Sequence, residues 1–166
     1  MKIIYFFLLL MAFGLHRYSQ NNGMGMTFDS LNYLHASKTW QKEKKLVNHN
    51  QSNYVVQTPL FPIILSIFDT KNGIFISYFF SFCLIFTLIL YFFWIDFIFD
   101  NYFIKIMTAF CISIGTPLYL VHHFLWSEPF FLLLLTINSF SFYVIISDKE
   151  CFFSKKMLYF FFFLSG

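Results

Sequence analysis

Charged residues are scarce in this 166-residue chain: Asp, Glu, Lys and Arg together make up 11% of it, where about a quarter is usual for a globular domain. Apolar residues fill the gap, with 58% of the chain hydrophobic and a mean hydropathy of +0.66. A soluble domain of this size cannot hide that much apolar surface. The few charges are also unevenly spread, and long stretches carry none, the mark of segments that sit in hydrocarbon. Strong basicity is lacking too: the net charge is +3 and no long basic run occurs, which gives no ground for a nucleic-acid partner. Cysteine is sparse. Cys83, Cys111 and Cys151 are scattered, two of them inside apolar runs. They form neither a metal-ligand spacing nor an obvious disulfide pair and read as small apolar filler.

The chain does have 28 Phe, together with abundant Ile, Asn, Lys and Tyr. That combination is the imprint of an AT-rich genome, so the Phe runs read as lipid-facing bulk and not as aromatic boxes. Four stretches are expected to span a bilayer, near residues 3–18, 73–95, 102–121 and 129–147, with a fifth begun at 157–166. The clearest is 73–95, which carries no charge and is long enough, at roughly 1.5 Å per residue, to cover the hydrocarbon core. The first could be a signal peptide, since a basic start precedes a short apolar core. His16-Arg17-Tyr18 stands where a small-residue cleavage site should be, so an uncleaved helix is the better reading. Gly115-Thr116-Pro117 should kink the third span, because Pro removes a backbone donor and clashes one turn back. The fifth stretch stops after Gly166, which is read as a sign that the chain is the N-terminal piece of a longer protein. The expected fold is all-α: a polytopic transmembrane helical protein with a short external loop carrying interfacial helices.

That loop is the polar segment 19–58. Within it, Asp29 to Trp40 is expected to be helical, capped by Asp29 or Ser30. Asp29, Tyr33, Ala36 and Trp40 would share one face, and Trp40 with the neighbouring lysines suits a helix lying on the membrane surface. Pro59-Leu60-Phe61-Pro62 opens a short re-entrant or interfacial helix, since two prolines fit a first turn but not an interior. Ser127 is placed to cap the last complete span, with Pro129 in its first turn. The lysines of the short loop at 148–156 favour an inside N-terminus, which puts the 19–58 loop and the 122–128 connection on the same external face.

Three pieces in order give the chain a family likeness: Gly25-Met26-Thr27-Phe28-Asp29-Ser30-Leu31-Asn32-Tyr33 after the first span, Pro59-Leu60-Phe61-Pro62, and Trp126-Ser127-Glu128-Pro129-Phe130-Phe131-Leu132-Leu133. With this topology the chain resembles the start of a GT-C glycosyltransferase, the polytopic class that contains the dolichyl-phosphate mannosyltransferases (glycosyltransferase family 39) and bacterial relatives. One departure is that Ser30 follows Asp29 where many relatives have a second acid. The resemblance implies a multi-pass protein of the cell membrane, as in a bacterial inner membrane. It also implies transfer of a sugar from a polyprenyl-phosphate donor to an acceptor hydroxyl at the external face. It specifies no cofactor and no metal. The leaving group is already a phosphate and needs no general acid, whereas the acceptor needs a base, and one carboxylate suffices.

On that implication Asp29 is the catalytic base; otherwise it is simply a helix cap. Tyr33 and Tyr54 would bind substrate by stacking on the sugar, or serve as interfacial anchors. Lys44 and Lys45 would meet the lipid phosphate, or lean on anionic headgroups. Glu128 would bind the sugar, or merely benefit from a helix start where negative charge is favoured. His122 and His123 point in different directions on a helix and read as interfacial residues with no ligand. The alternative function is a non-enzymatic polytopic membrane protein, such as part of a transporter or polysaccharide polymerase. The near absence of charge within the spans counts against it.

Overall fold

The computed structural model describes residues 1–52, 54, 58–68 and 73–147. The loop at 148–156 and the stretch expected to begin a fifth span lie outside the described residues. Within them the chain is helical, in the order α1 (Lys2–Ser19), α2 (Phe28–Glu43), α3 (Leu60–Leu65), α4 (Gly73–Ile98), α5 (Tyr102–Ile114), α6 (Thr116–His123) and α7 (Glu128–Ser147). Three helical stretches are long and apolar enough to cross a membrane: Gly73–Ile98, Tyr102–His123 and Glu128–Ser147. The stretch 3–18, expected as a fourth span, is α1. It has 18 residues, including Lys2 and Arg17 near its two ends, and does not belong with those three.

Helix α4 is the hub. It buries Ile76, Phe80, Leu84, Leu88, Phe92 and Ile95 along one side, a spacing of three and four that keeps these side chains on one stripe. Helix α1 runs antiparallel to it. Tyr5 stacks on Phe92 with ring centroids 4.6 Å apart and donates to Asp96 Oδ1 at 3.0 Å, while eleven residues further along α1 His16 Nδ1 lies 3.0 Å from Ser81 Oγ. Between them Ala12 is fully buried against Leu84 and Leu88. A small residue there lets two backbones approach, which is how helices pair where lipid removes the hydrophobic drive between them. On another side of α4, Phe140 and Val144 of α7 pack with Leu90, Trp94 and Phe97.

The expected break falls at Gly115. The chain leaves helical geometry there (φ −60°, ψ 111°) and restarts at Thr116 with Pro117 in the first turn. Asn101 caps α5, its Oδ1 accepting from the amides of Phe103 at 2.9 Å and Ile104 at 3.2 Å. Lys105 is held by Asp96 at 3.5 Å. Many aromatic rings, among them Phe6, Phe7, Phe82, Phe103 and Phe131, point outward and exposed. That is where lipid-facing bulk belongs.

The connections sort to two ends of this bundle. At one lie the N-terminus, the 96–101 turn and the end of α7. At the other lie the end of α1, the start of α4, the end of α6 and the start of α7, overlaid by α2 and α3. Phe61 of α3 explains how the overlay is fixed: it meets Tyr33 edge-on at 4.9 Å and stacks on Phe80 of α4 at 6.2 Å. With Leu65, Ile76 and Leu125 these residues form a core cluster over the end of the bundle. Helix α2 therefore turns Tyr33, Ala36 and Ser37 inward onto α3 and its neighbours.

Candidate functional site

The overlaid end is tied together by backbone pairing between two loops far apart in sequence. The Gly25 amide donates to the His123 carbonyl at 3.0 Å, and the Leu125 amide donates to the Gly25 carbonyl at 3.0 Å. A Cβ at residue 25 would overlap the Phe124 ring, so glycine is what allows this approach. Trp126 Nε1 then donates to Thr27 Oγ1 at 3.0 Å. These contacts dock the start of α2 beside the start of α7.

Neither Asp29 nor Ser30 caps α2, contrary to the expectation from sequence. Thr27 does: its side chain accepts from the Ser30 amide, and Ser30 Oγ accepts from the Thr27 amide at 2.9 Å, closing a capping box. The reciprocal pair satisfies two first-turn donors. Asp29 falls one position before Ser30 inside the first turn, exposed, where a negative charge is favoured by the helix dipole. One turn on, Tyr33 is buried, and its Oη meets Ser127 Oγ at 3.1 Å; Ser127 Oγ in turn lies 3.4 Å from a Glu128 carboxylate oxygen.

Tyr33 thus stands within the fields of two carboxylates. Burial raises its phenol above the ordinary tyrosine range, the Ser127 hydrogen bond partly offsets that, and Glu128 and Asp29 raise it further. It remains a neutral hydroxyl at any physiological pH. Tyr54 belongs to the same group. Its phenol is raised by burial first, then by Tyr33 and Asp29, and its buried hydroxyl has no hydrogen-bond partner among the described residues. Four of the residues singled out from sequence, Asp29, Tyr33, Tyr54 and Glu128, therefore meet at one place. Lys44 and Lys45 do not join them. Lys44 is the C-cap of α2, with its Nζ 5.8 Å from the Trp40 ring centroid. That is roughly 22 Å along the helix from Asp29 at 1.5 Å per residue. Both lysines are exposed.

No family model, curated protein or solved structure matches this chain. The site is therefore read from its own chemistry.

Beneath the loop pairing lies a polar network that the sequence reading did not assemble. His122, expected as an interfacial residue, is fully buried, with Nδ1 2.8 Å from the Leu118 carbonyl and Nε2 without a partner among the described residues. His16 and Gln20, one turn apart on α1, meet Ser77 and Ser81, one turn apart on α4. Gln20 Nε2 donates to the His122 carbonyl at 3.0 Å and lies 3.1 Å from His16 Nε2; Ser77 donates to Gln20 Oε1. Ser81 Oγ, which faces His16 Nδ1, donates to the Ser77 carbonyl at 3.0 Å, and His16 Nε2 lies 3.1 Å from the His122 carbonyl. The signal was available: two pairs of polar residues at i, i+4 inside apolar stretches share a face. Among the described residues no three His, Cys, Asp or Glu are grouped to hold a metal ion.

Proposed function

We propose that this chain belongs to a membrane glycosyltransferase that moves a sugar from a polyprenyl-phosphate donor to an acceptor hydroxyl. The observation that carries the reading is that Tyr33 is tied through Ser127 to Glu128 and stands one turn from Asp29 on α2, at the end of the bundle where α2 and α3 overlie the helix ends. Asp29 is exposed in the first turn of α2, where Thr27 holds the cap, and on this reading its carboxylate takes the proton from the incoming hydroxyl. The departing phosphate carries its own charge and needs no acid, so a single base meets the demand on the protein. Tyr33, kept neutral by burial and held by Ser127, offers a fixed hydroxyl to a sugar or acceptor oxygen. Glu128 lies at the start of α7 and orients the same region through Ser127. Three bilayer-length helices suit a donor whose carrier is a lipid.

The deciding experiment is transfer from a polyprenyl-phosphate sugar by the complete protein carrying Asp29→Asn. Loss of transfer with normal insertion supports the reading; unchanged transfer removes Asp29 from catalysis.

A second reading has its own observation. The His16–Gln20–Ser77–Ser81 network lies between helices of the bundle, where polar groups often mark a transport path. On that reading His16→Phe abolishes function and Asp29→Asn does not.

A further inference from the structure

Arg17 is a cation at the overlaid end that the transfer chemistry leaves unused. It is half-buried near the end of α1. Its Nη1 donates to Ser77 Oγ, and its guanidinium carbon sits 4.2 Å from the Tyr78 ring centroid. Ser77 passes its own proton to Gln20 Oε1, so the clamp is backed by the buried network. The ion pair formed among the described residues joins Lys105 to Asp96 at the opposite end, and none forms at Arg17. The guanidinium has five N–H donors. One is engaged by Ser77, and a stacked, clamped fork is pre-organised for an oxyanion.

What it faces is a cleft of about 520 Å³, with Arg17, Gln20, Asn21 and Ser77 on its polar side and Met24 and Leu34 on its apolar side. That volume falls within the range of roughly 300–1,000 Å³ usual for small-ligand sites. The first turn of the 26-residue α4, from Gly73 to Ser77, also lines it. Helix starts present amide donors and a positive dipole end to anions. Exposed Tyr18 follows immediately on α1, and tyrosine settles at headgroup depth. The anions abundant at that depth are lipid phosphates.

The geometry points to the Arg17 cleft as a binding site for the phosphate group of a membrane lipid, with the guanidinium and the start of α4 gripping the phosphate and Met24 and Leu34 beside the first carbons of the lipid. This goes beyond the transfer reading and does not depend on it, because the site is defined by binding alone.

The test is equilibrium binding to the purified full-length protein in phosphate-free detergent. Four radiolabelled probes are compared: inorganic phosphate, short-chain phosphatidylglycerol, polyprenyl phosphate and the phosphate-free polyprenol. Saturable binding of the phosphate-bearing probes is expected, with none for polyprenol. Arg17→Gln should weaken it at least tenfold. Arg17→Lys, which keeps the charge and so protects insertion, should fall between, since an ammonium lacks the fork and the stacking. A preference for phosphatidylglycerol identifies a bulk headgroup as the source, a preference for polyprenyl phosphate a carrier lipid, and equal affinity for inorganic phosphate the free ion. Absence of saturable binding, or equal affinity in wild type and both variants, overturns the proposal.

Discussion

At the scale of single residues, the consequence of Thr27 holding the cap is that Asp29 can be tested cleanly. Asp29→Asn changes charge and little else, and the capping box stays intact, so insertion and folding should survive. In the complete protein, transfer should fall by roughly the 10²–10⁴-fold that accompanies loss of a general base, measured as turnover of a polyprenyl-phosphate sugar. Glu128→Gln should cost far less, since a charge at a helix start contributes only about 0.3–1 kcal/mol. Tyr33→Phe separates binding from proton transfer. It removes the hydroxyl that meets Ser127, a hydrogen bond worth about 1 kcal/mol net, while the ring still packs on Phe61. The expected outcome is a raised KM for the acceptor with kcat nearly preserved; equal loss in kcat instead would make the phenol part of the chemistry.

At the scale of elements, α2 is the piece whose position decides the site. It carries Asp29 and Tyr33, and two devices dock it: the Thr27 cap and the Gly25 pairing. Thr27→Ala removes the cap and the acceptor for Trp126 Nε1. A lost cap typically costs about 1 kcal/mol, so amides of the first turn of α2 should exchange with solvent several-fold faster while those of α4 are unchanged. Gly25→Ala should be worse, because the added carbon overlaps the Phe124 ring and the loops must part to admit it. Faster exchange should then appear on both sides, at 25–33 and at 123–128. Exchange confined to residue 25 would mean that the pairing does not hold α2 in place.

At the scale of the molecule, both connections expected on one face do lie at one end of the bundle, with the 96–101 turn at the other. Cysteine labelling on a background lacking Cys83, Cys111 and Cys151 tests this arrangement in a membrane. An impermeant reagent applied from outside should label Asn50→Cys and Ser127→Cys and should leave Asp100→Cys untouched. Labelling of residue 100 with protection of residues 50 and 127 would invert the orientation but keep the site together. Labelling that divides residues 50 and 127 between the two sides would dismantle it.

Several of these features were legible in the sequence because they depend on neighbours along the chain. An uncharged run of bilayer length has to satisfy its backbone internally and so becomes a helix; Gly115 and Pro117 break one locally; two prolines open α3. The grouping of Asp29 with Tyr33 also follows from helical spacing alone. Other features were decided only by tertiary packing. The cap moved to Thr27, whose side chain is also engaged by Trp126 from ninety-nine residues away. His122 was drawn inside by the meeting of α1, α4 and α6, and Tyr33 was set beside Ser127 by the loop pairing at Gly25. In a chain whose helices are apolar on nearly every side, hydropathy does not mark which face turns inward. Small and polar residues on partner helices choose it, at Ala12, Ser77 and Ser81, because close packing and hydrogen bonds are what distinguish one apolar face from another in lipid.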